Sequence, residues 1–219
     1  MGYLDSVTVQ NMIDSAVAAS SSGSGNSSGH YVGELYGGGI VFYLYNNGTS
    51  GYIASLDDLG VVNMTTNSTI PYPNSYTDGA ANTAAIVAQD PTPGYAATLC
   101  DSYAAGGFTD WYLPAIRELE LLATQQVMID QILENDTSSN TNSFTYVSPV
   151  GYMASTAFAS PNQMWIFQFQ NNIGSARDLN SILRVRAIRK FTSSSGSGSG
   201  SSNGNSSGNK TLIYQTSGF

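Results

Sequence analysis

Cysteine, histidine and basic side chains are scarce in this sequence, and each shortage excludes a class of site. The 219 residues include one Cys and one His, which excludes an intrachain disulfide and a zinc site built from several thiolates. Cys100 lies among alanines and a leucine at helical spacing, which favours a buried, inert thiol over a nucleophile. His30 abuts a Ser/Gly segment, so neither a Ser-His nor a Cys-His catalytic pair is expected.

Positive charge is missing from the first half of the chain. All seven Lys and Arg residues lie at or beyond Arg117, and the net charge is −8. Because a nucleic-acid binder needs a basic face to neutralise phosphates, no nucleic-acid partner is expected. The densest basic run, Arg184 to Lys190, alternates with Val185 and Ala187, which favours a half-buried strand over a binding patch.

Long apolar runs are also missing. No uninterrupted run of about 18 apolar residues could span a bilayer, so no membrane partner is expected. The N-terminal MGYLDSVTVQ has no basic region followed by an apolar core, as a secretory signal would have. The chain is therefore predicted to be made in the cytoplasm.

Two segments, residues 20–29 and 193–209, are nearly pure Ser, Gly and Asn. Such segments cannot bury enough apolar area to offset chain entropy, so both are predicted to be flexible linkers. They flank residues 30–192, and a hydrophobic content of 41% is enough to give this body a core. The body is therefore predicted to be one globular domain between two linkers.

The two ends of the chain are predicted to attach it to something else. Residues 1–19 favour a helix from about Ser6, and its apolar stripe includes Met12, Ile13 and Val17. A helix this short is marginal alone in water, so the stripe is predicted to anchor on a larger assembly or on copies of itself. The alternative is a frayed tail. Residues 210–219 alternate as a strand does and are predicted to pair with the body or with a neighbouring chain.

The body begins with a predicted hairpin and continues with predicted helices. Runs at Ile40–Tyr45 and Gly51–Leu56 flank the turn residues Asn46, Asn47 and Gly48. Gly37–Gly39 predict a bulge or a close backbone approach. The first helix is predicted at 78–88, with Asp78 or Thr77 as its cap and with one face formed by Ala81, Ala84, Ala85 and Ala88. The second is predicted at 95–105 and ends at Gly106 and Gly107. The third begins at Pro114 and buries Leu119, Leu122 and Ala123, and the fourth is predicted at 127–134.

The last third of the body, Phe144 to Phe191, consists of short β-branched and aromatic runs. These runs are FTYVS, GYMAST, MWIFQFQ and ILRVRAIRKF. In the third, alternation places Trp165, Phe167 and Phe169 on one side of a strand. Strands followed by helices and again by strands predict an α+β fold with mainly antiparallel strands rather than a doubly wound sheet.

The stretch GGFTDWYLPAIRELELL, residues 106–122, joins two of the predicted helices. Its aromatic residues are predicted to lie beneath the crossing segment, and Asp110 is predicted to accept hydrogen bonds from amides of the turn.

This stretch resembles the hallmark of the DUF1566 family, also described as the C-terminal domain of a Legionella collagen-like adhesin. The matching residues are Gly106, Gly107, Phe108, Asp110, Trp111, Leu113, Pro114, Glu118 and Leu119. Residues 38–43, the helix with Ala96, Ala97, Leu99 and Cys100, and residues 183–189 match in order as well. The resemblance covers most of the body and implies a C-type-lectin-like α+β fold, usually displayed at the end of extracellular or virion-borne proteins.

Several family features are missing here. Residues 152–156 read YMAST where many members have Tyr-Trp-Ser-Ser. The EPN or QPD and WND triplets of calcium-dependent lectins are absent, as are the paired cysteines of formylglycine-generating enzymes. The resemblance therefore carries over no calcium site, no sugar site and no catalytic site, and neither a metal nor a cofactor is expected.

An anchor, a spacer and an adhesin-like domain without an export signal are typical of phage structural proteins, which leave the cell by lysis. We therefore expect a non-enzymatic head-fibre, tail-fibre or decoration protein of the virion, favoured as a homotrimer. Its end segment would bind other virion proteins, and its body would bind host-surface or environmental glycans. The alternatives are a bacterial surface adhesin and a glycan-processing enzyme. For the enzyme, the pairs Asp57/Asp58 and Glu118/Glu120 are candidate carboxylates, but residues at this spacing point apart.

The candidate ligand site lies in the loop Asn63–Tyr76 and the segment Tyr152–Trp165. Flat aromatic faces and neighbouring amides are the groups that a sugar site uses. The candidate residues are Tyr72, Asn74, Tyr76, Tyr152 and Trp165. The alternative for Tyr152 and Trp165 is that they pack the core.

Overall fold

A computed structural model describes residues 29–65, 73–135, 143–144, 151–159 and 162–193. The predicted anchor with Met12, Ile13 and Val17, nearly all of both predicted linkers, and residues 210–219 lie outside this part of the chain. Predictions for those segments stay predictions.

The described residues form an α+β fold of four helices and two mostly antiparallel sheets, which confirms the predicted class. In chain order the elements are β1 (Leu35–Tyr36), β2 (Gly39–Tyr45), β3 (Ser50–Ser55), β4 (Gly60–Val62), α1 (Gly79–Gln89), α2 (Ala96–Asp101), α3 (Ile116–Thr124), α4 (Gln126–Asn135), β5 (Tyr152–Ala157), β6 (Gln163–Gln168), a 3₁₀ turn (Phe169–Asn171), β7 (Ile173–Asp178), β8 (Leu183–Val185) and β9 (Ile188–Thr192). None of the described helices is long and apolar enough to cross a membrane.

The first sheet has the order β1-β2-β3-β9 and is antiparallel throughout. The second has the order β4-β8-β5-β6-β7, in which β5 and β8 are parallel and the other neighbours antiparallel. The last strand of the chain thus pairs with the first hairpin. Edge strand β7 was not predicted, because its sequence IGSARD has no alternating apolar residues. In the structure its side chains are exposed or only partly buried.

The predicted hairpin of β2 and β3 is confirmed. Asn46, Asn47 and Gly48 all have positive φ, between 51° and 80°, which is the left-handed backbone that a tight turn needs. Successive residues of β2 enter two different core clusters: Val41 joins one, and Ile40 and Phe42 join the other. The first sheet therefore lies between two apolar layers.

Helix α1 starts where the sequence predicted, but it buries a different face. Asp78 caps it by accepting a hydrogen bond from the Ala81 amide at 3.2 Å. The predicted alanine stripe is wrong, because Asn82, Thr83 and Ile86 are the buried residues. The two polar side chains are tolerated inside because they bond to neighbouring backbone: Asn82 donates to the Ser75 carbonyl at 2.7 Å, and Thr83 bonds to Leu113.

Helix α2 is shorter than predicted, and the glycines after it have another role. It ends at Asp101, whereas Gly106 and Gly107 form a tight turn whose flanking residues Ala105 and Phe108 bond to each other's backbone. Gly106 packs directly on Gly38: a Cβ on Gly106 would lie 2.5 Å from the Gly38 Cα. The two glycine turns thus meet backbone to backbone, which confirms the close approach predicted at Gly37–Gly39.

Helix α3 begins two residues later than the sequence predicted. Ala115 is its N-cap, so Pro114 lies outside the helix, where its carbonyl accepts a hydrogen bond from the Ser155 amide at 2.8 Å. Leu119 and Leu122 are buried as predicted. Helix α4 spans the predicted residues with one more at each end.

Two arginines of the basic run, Arg186 and Arg189, are buried, contrary to the predicted pattern. Arg186 is 1% exposed and donates to the Asp58 carboxylate at 2.8 and 2.9 Å. Arg189 is 5% exposed and binds Asp110 through two hydrogen bonds, at 2.6 and 2.9 Å. Asp110 therefore holds strand β9, and its pKa is lowered mainly by the hydrogen bonds from Arg189 and in addition by a hydrogen bond from its own backbone amide. The single strand predicted over residues 182–191 is instead two strands, β8 and β9, which belong to different sheets.

Candidate ligand-binding surface

Two of the predicted site residues, Tyr76 and Trp165, meet at the surface. The Trp165 Nε1 donates a hydrogen bond to the Tyr76 hydroxyl at 3.2 Å, and their ring centroids are 6.2 Å apart in an edge-to-face arrangement. Tyr76 is 43% exposed. The hydrogen bond fixes the relative orientation of two aromatic rings that come from distant parts of the chain.

The Trp165 ring is positioned by its neighbours on the second sheet. Trp165 lies on β6 and its indole packs beside Gly174 of β7, where a Cβ would lie in van der Waals contact at 3.4 Å. The Phe158 ring packs edge-on against the indole at 4.8 Å. Tyr76 is held in turn by its carbonyl, which accepts a hydrogen bond from the Arg117 amide at 3.0 Å.

The other predicted site residues have different places. Asn74 is exposed, two residues before Tyr76, and Tyr72 lies outside the described residues. Tyr152 is 1% exposed; its ring contacts Phe144, and its hydroxyl donates to Asp58 at 3.0 Å. The placement of Tyr152 in a ligand site is therefore wrong, and the core role given as its alternative is confirmed.

A second aromatic surface lies on the first sheet and was not predicted. Tyr43 of β2 is the register partner of Tyr52 of β3, and Tyr52 is the register partner of Lys190 of β9. Tyr45 stands next to Tyr43 on the same strand face. We call Tyr43, Tyr45 and Tyr52 the tyrosine row; their ring centroids lie 6.0 to 6.4 Å apart, and Tyr43 and Tyr45 are each 37% exposed.

Lys190 joins the tyrosine row to two carboxylates. Its Nζ lies 3.5 Å from Asp78 and 3.9 Å from Glu118, and about 5.9 Å from the centroid of the Tyr52 ring. The side chains of Lys190 and Asp78 are 40% and 50% exposed, whereas that of Glu118 is 2% exposed. Lys190 and Asp78 are thus the part of this cluster that solvent or a ligand can reach, and we call them the polar bridge.

Glu118 holds the starts of two helices together beneath the polar bridge. Its carboxylate accepts hydrogen bonds from the Ala115 amide at 2.8 Å, the Gly79 amide at 3.2 Å and the Tyr112 hydroxyl at 3.1 Å. Burial nevertheless raises the pKa of Glu118 to about 7, against these hydrogen bonds and Lys190. Burial and the nearby Glu118 also raise the pKa of Tyr52 to about 12.

An open groove of about 590 Å³ lies between the two glycine turns, with Tyr36, Asp57 and Tyr103 in its walls. Burial raises the pKa of Asp57 and of Tyr103. Asp58 is engaged with Arg186 instead, so the two adjacent carboxylates have separate roles, as their spacing predicted. The pair Glu118 and Glu120 is likewise split between the interior and the surface.

His30 has partners that the sequence did not indicate. Its Nδ1 lies 2.8 Å from Glu34 and its Nε2 lies 2.9 Å from the Ser193 hydroxyl. The ring also packs on Tyr36 and Phe191. The sequence did not predict this Ser-His contact, because Ser193 adjoins the second Ser/Gly segment, whose composition gives no sign of a folded contact.

Cys100 is fully buried, as predicted, and burial raises its pKa well above the ordinary value of a thiol. Among the described residues, no group of three or more His, Cys, Asp or Glu side chains is placed to hold a metal ion.

No family model matches this chain, and no curated protein matches it. The resemblance to the DUF1566 family therefore rests on the motifs quoted from the sequence.

Proposed function

We propose that this protein is a non-enzymatic attachment module that binds glycans through the Trp165–Tyr76 pair. The observation that carries the proposal is the surface contact itself, in which one hydrogen bond joins the half-buried Trp165 indole to the Tyr76 phenol, and Tyr76 is 43% exposed. Such rings stack on the C–H faces of sugars, and the exposed Asn74 nearby offers amide hydrogen bonds to hydroxyl groups.

The fold resemblance supports the same class of function. Two mostly antiparallel sheets with four helices among the described residues agree with the α+β class of C-type-lectin-like domains. That finer fold, and membership of the DUF1566 family, are part of the proposal. A fold by itself assigns no ligand, so the aromatic pair carries the argument.

We further propose a virion as the place of action, with the chain as a head-fibre, tail-fibre or decoration protein. The support is the organisation of the sequence: an apolar stripe in residues 1–19, two Ser/Gly segments and a folded body between them. Mass spectrometry of purified virions tests this, since a virion protein is recovered with the particles. Recovery of the chain in a cell-envelope fraction instead would favour the bacterial adhesin.

The glycan proposal is tested with the full chain on an immobilised panel of bacterial, plant and host polysaccharides. We expect binding to at least one neutral member, and Trp165→Ala should weaken it about tenfold, or about 1.4 kcal/mol. Tyr31→Ala is the matched control, because Tyr31 is an aromatic residue that is 58% exposed and precedes β1 in the chain. Equal losses from both substitutions, or no binding to any member, would contradict the proposal.

A second candidate function follows from the His30 contacts. A hydroxyl and a carboxylate on the two nitrogens of one imidazole form the arrangement of serine hydrolases. In that function Ser193 Oγ would add to an ester carbonyl carbon while His30 takes its proton. The proton would then leave with the alcohol, and water would release the acid from the serine.

This second candidate is tested by labelling the full chain with a fluorophosphonate. If the chain is a hydrolase, Ser193 is labelled. The Ser193→Ala variant is then not labelled, whereas the Ser181→Ala variant still is. If the chain is not labelled and Ser193→Ala lowers its thermal stability, the contact between His30 and Ser193 is structural.

A further inference from the structure

We propose that the ligand is a long, uncharged polysaccharide, whose chain runs from the Trp165–Tyr76 pair over the polar bridge to the tyrosine row. This inference rests on the proposed glycan function and adds the length and the charge of the ligand.

The two aromatic surfaces form one continuous site, because a short exposed segment joins them. Asp78 follows Tyr76 by two residues, so their Cα atoms lie within about 7 Å of each other. Asp78 contacts Lys190 at 3.5 Å, and Lys190 is the register partner of Tyr52. Tyr76, Asp78 and Lys190 are each open to solvent, so among the described residues exposed side chains connect the pair to the row.

The shape of the tyrosine row favours a ligand of several sugars. Tyr43 and Tyr52 stand side by side on neighbouring strands, and Tyr45 extends the group along β2, so the rings share one face of a sheet. Each exposed ring offers an apolar face with a hydroxyl at its rim. A single monosaccharide would use one ring, whereas a row of rings suits successive sugars of one chain.

The charges of this surface and of the whole chain favour an uncharged ligand. Lys190 is the lysine on this surface, and it already lies between the carboxylates of Asp78 and Glu118. The whole chain has a net charge of −8, so a polyanion would be repelled rather than attracted. Lys190 and Asp78 together offer a donor and an acceptor, which matches hydroxyl groups.

The inference is tested by comparing ligand lengths on the full chain. The probe is a neutral polysaccharide that the panel identifies, together with its disaccharide repeat and its longer oligomers. We expect affinity to rise with oligomer length. The double variant Tyr43→Ala/Tyr45→Ala should weaken the long oligomer about tenfold and leave the disaccharide unchanged, whereas Trp165→Ala should weaken both.

The outcomes separate this inference from the proposed function. If Trp165→Ala weakens both ligands while the tyrosine variant weakens neither, the extended site is wrong and glycan binding stands. If neither variant changes any binding, both proposals are wrong. Tighter binding of a polyuronate than of a neutral chain would overturn the charge argument, and affinity independent of length would overturn the extended chain.

Discussion

Glu118 shows how one buried side chain can serve both folding and a surface site. It bonds to the first residue of α1 and to the N-cap of α3, and it also faces Lys190 beside the tyrosine row. The sequence placed this residue near the start of a helix, where a carboxylate suits the helix dipole. Its burial could not be predicted, because it depends on how two helix starts and β9 pack around it.

The raised pKa of Glu118 predicts a pH-dependent stability. A group whose pKa is raised from 4.5 to about 7 on folding binds its proton more tightly in the folded state. Its contribution is therefore complete below pH 4.5 and is lost as the pH rises through 7. We expect the free energy of unfolding to fall by about 2–3 kcal/mol over this window because of this group.

Glu118→Gln should flatten that dependence, since the amide keeps the shape of the protonated acid and does not ionise. Urea unfolding of both proteins at a series of pH values between 4.5 and 8 measures the slope. The control Glu120→Gln alters an exposed carboxylate of the same helix and should leave the slope unchanged. A slope that survives in Glu118→Gln would assign the dependence to other groups.

At the scale of the elements, Gly106 and Gly107 of the family-like motif form a turn that contacts the turn at Gly38. Gly38 and Gly107 have nearly the same backbone conformation, with φ of +84° and +83°. A Cβ on Gly38 would overlap the Ala105 carbonyl, whereas a Cβ on Gly107 would meet no atom within 4 Å. The two positions therefore separate the cost of the backbone conformation from the cost of the close approach.

Gly107→Ala should destabilise the protein by about 1–2 kcal/mol, the ordinary cost of left-handed backbone for a residue with a Cβ. Gly38→Ala should cost more, about 3–4 kcal/mol in all, because the turn must also move away from Ala105. Thermal and urea unfolding of both variants measures this difference. Equal losses would mean that the turns do not need their contact.

The elements themselves were predictable where local signals agree, and the site was predictable in part. The β2–β3 hairpin has its turn residues and alternating strands in one stretch, and α1 has its Asp78 cap. The inner face of α1 failed because Asn82 and Thr83 find partners in segments distant in sequence. The tyrosine row was missed for the same kind of reason, since it exists only in the register of β3 with β9. Trp165 and Tyr76 were selected for their aromatic faces in strand and loop sequences, and the same signal also selected Tyr152, which is buried.

The two ends of the described body, near residues 30 and 193, are in contact with each other. His30 and Ser193, where the Ser/Gly segments meet the body, are in contact at 2.9 Å. The His30 amide also bonds to Gly48, and the Ser193 amide to Thr49, both in the turn between β2 and β3. Residues 30 and 193 therefore lie close together at the turn between β2 and β3. This suits the proposed role of a binding domain held at one end by a virion.

Solute quenching of tryptophan fluorescence, measured on the full chain with and without the bound polysaccharide, tests whether the Trp165–Tyr76 pair is the binding surface. The chain has two tryptophans, of which Trp111 is 2% exposed and Trp165 is half-buried at the surface. We predict that iodide quenches one emitting component, that Trp165→Phe removes this component, and that the polysaccharide protects it. Saturating polysaccharide that leaves Trp165 as open to iodide as before would contradict this account.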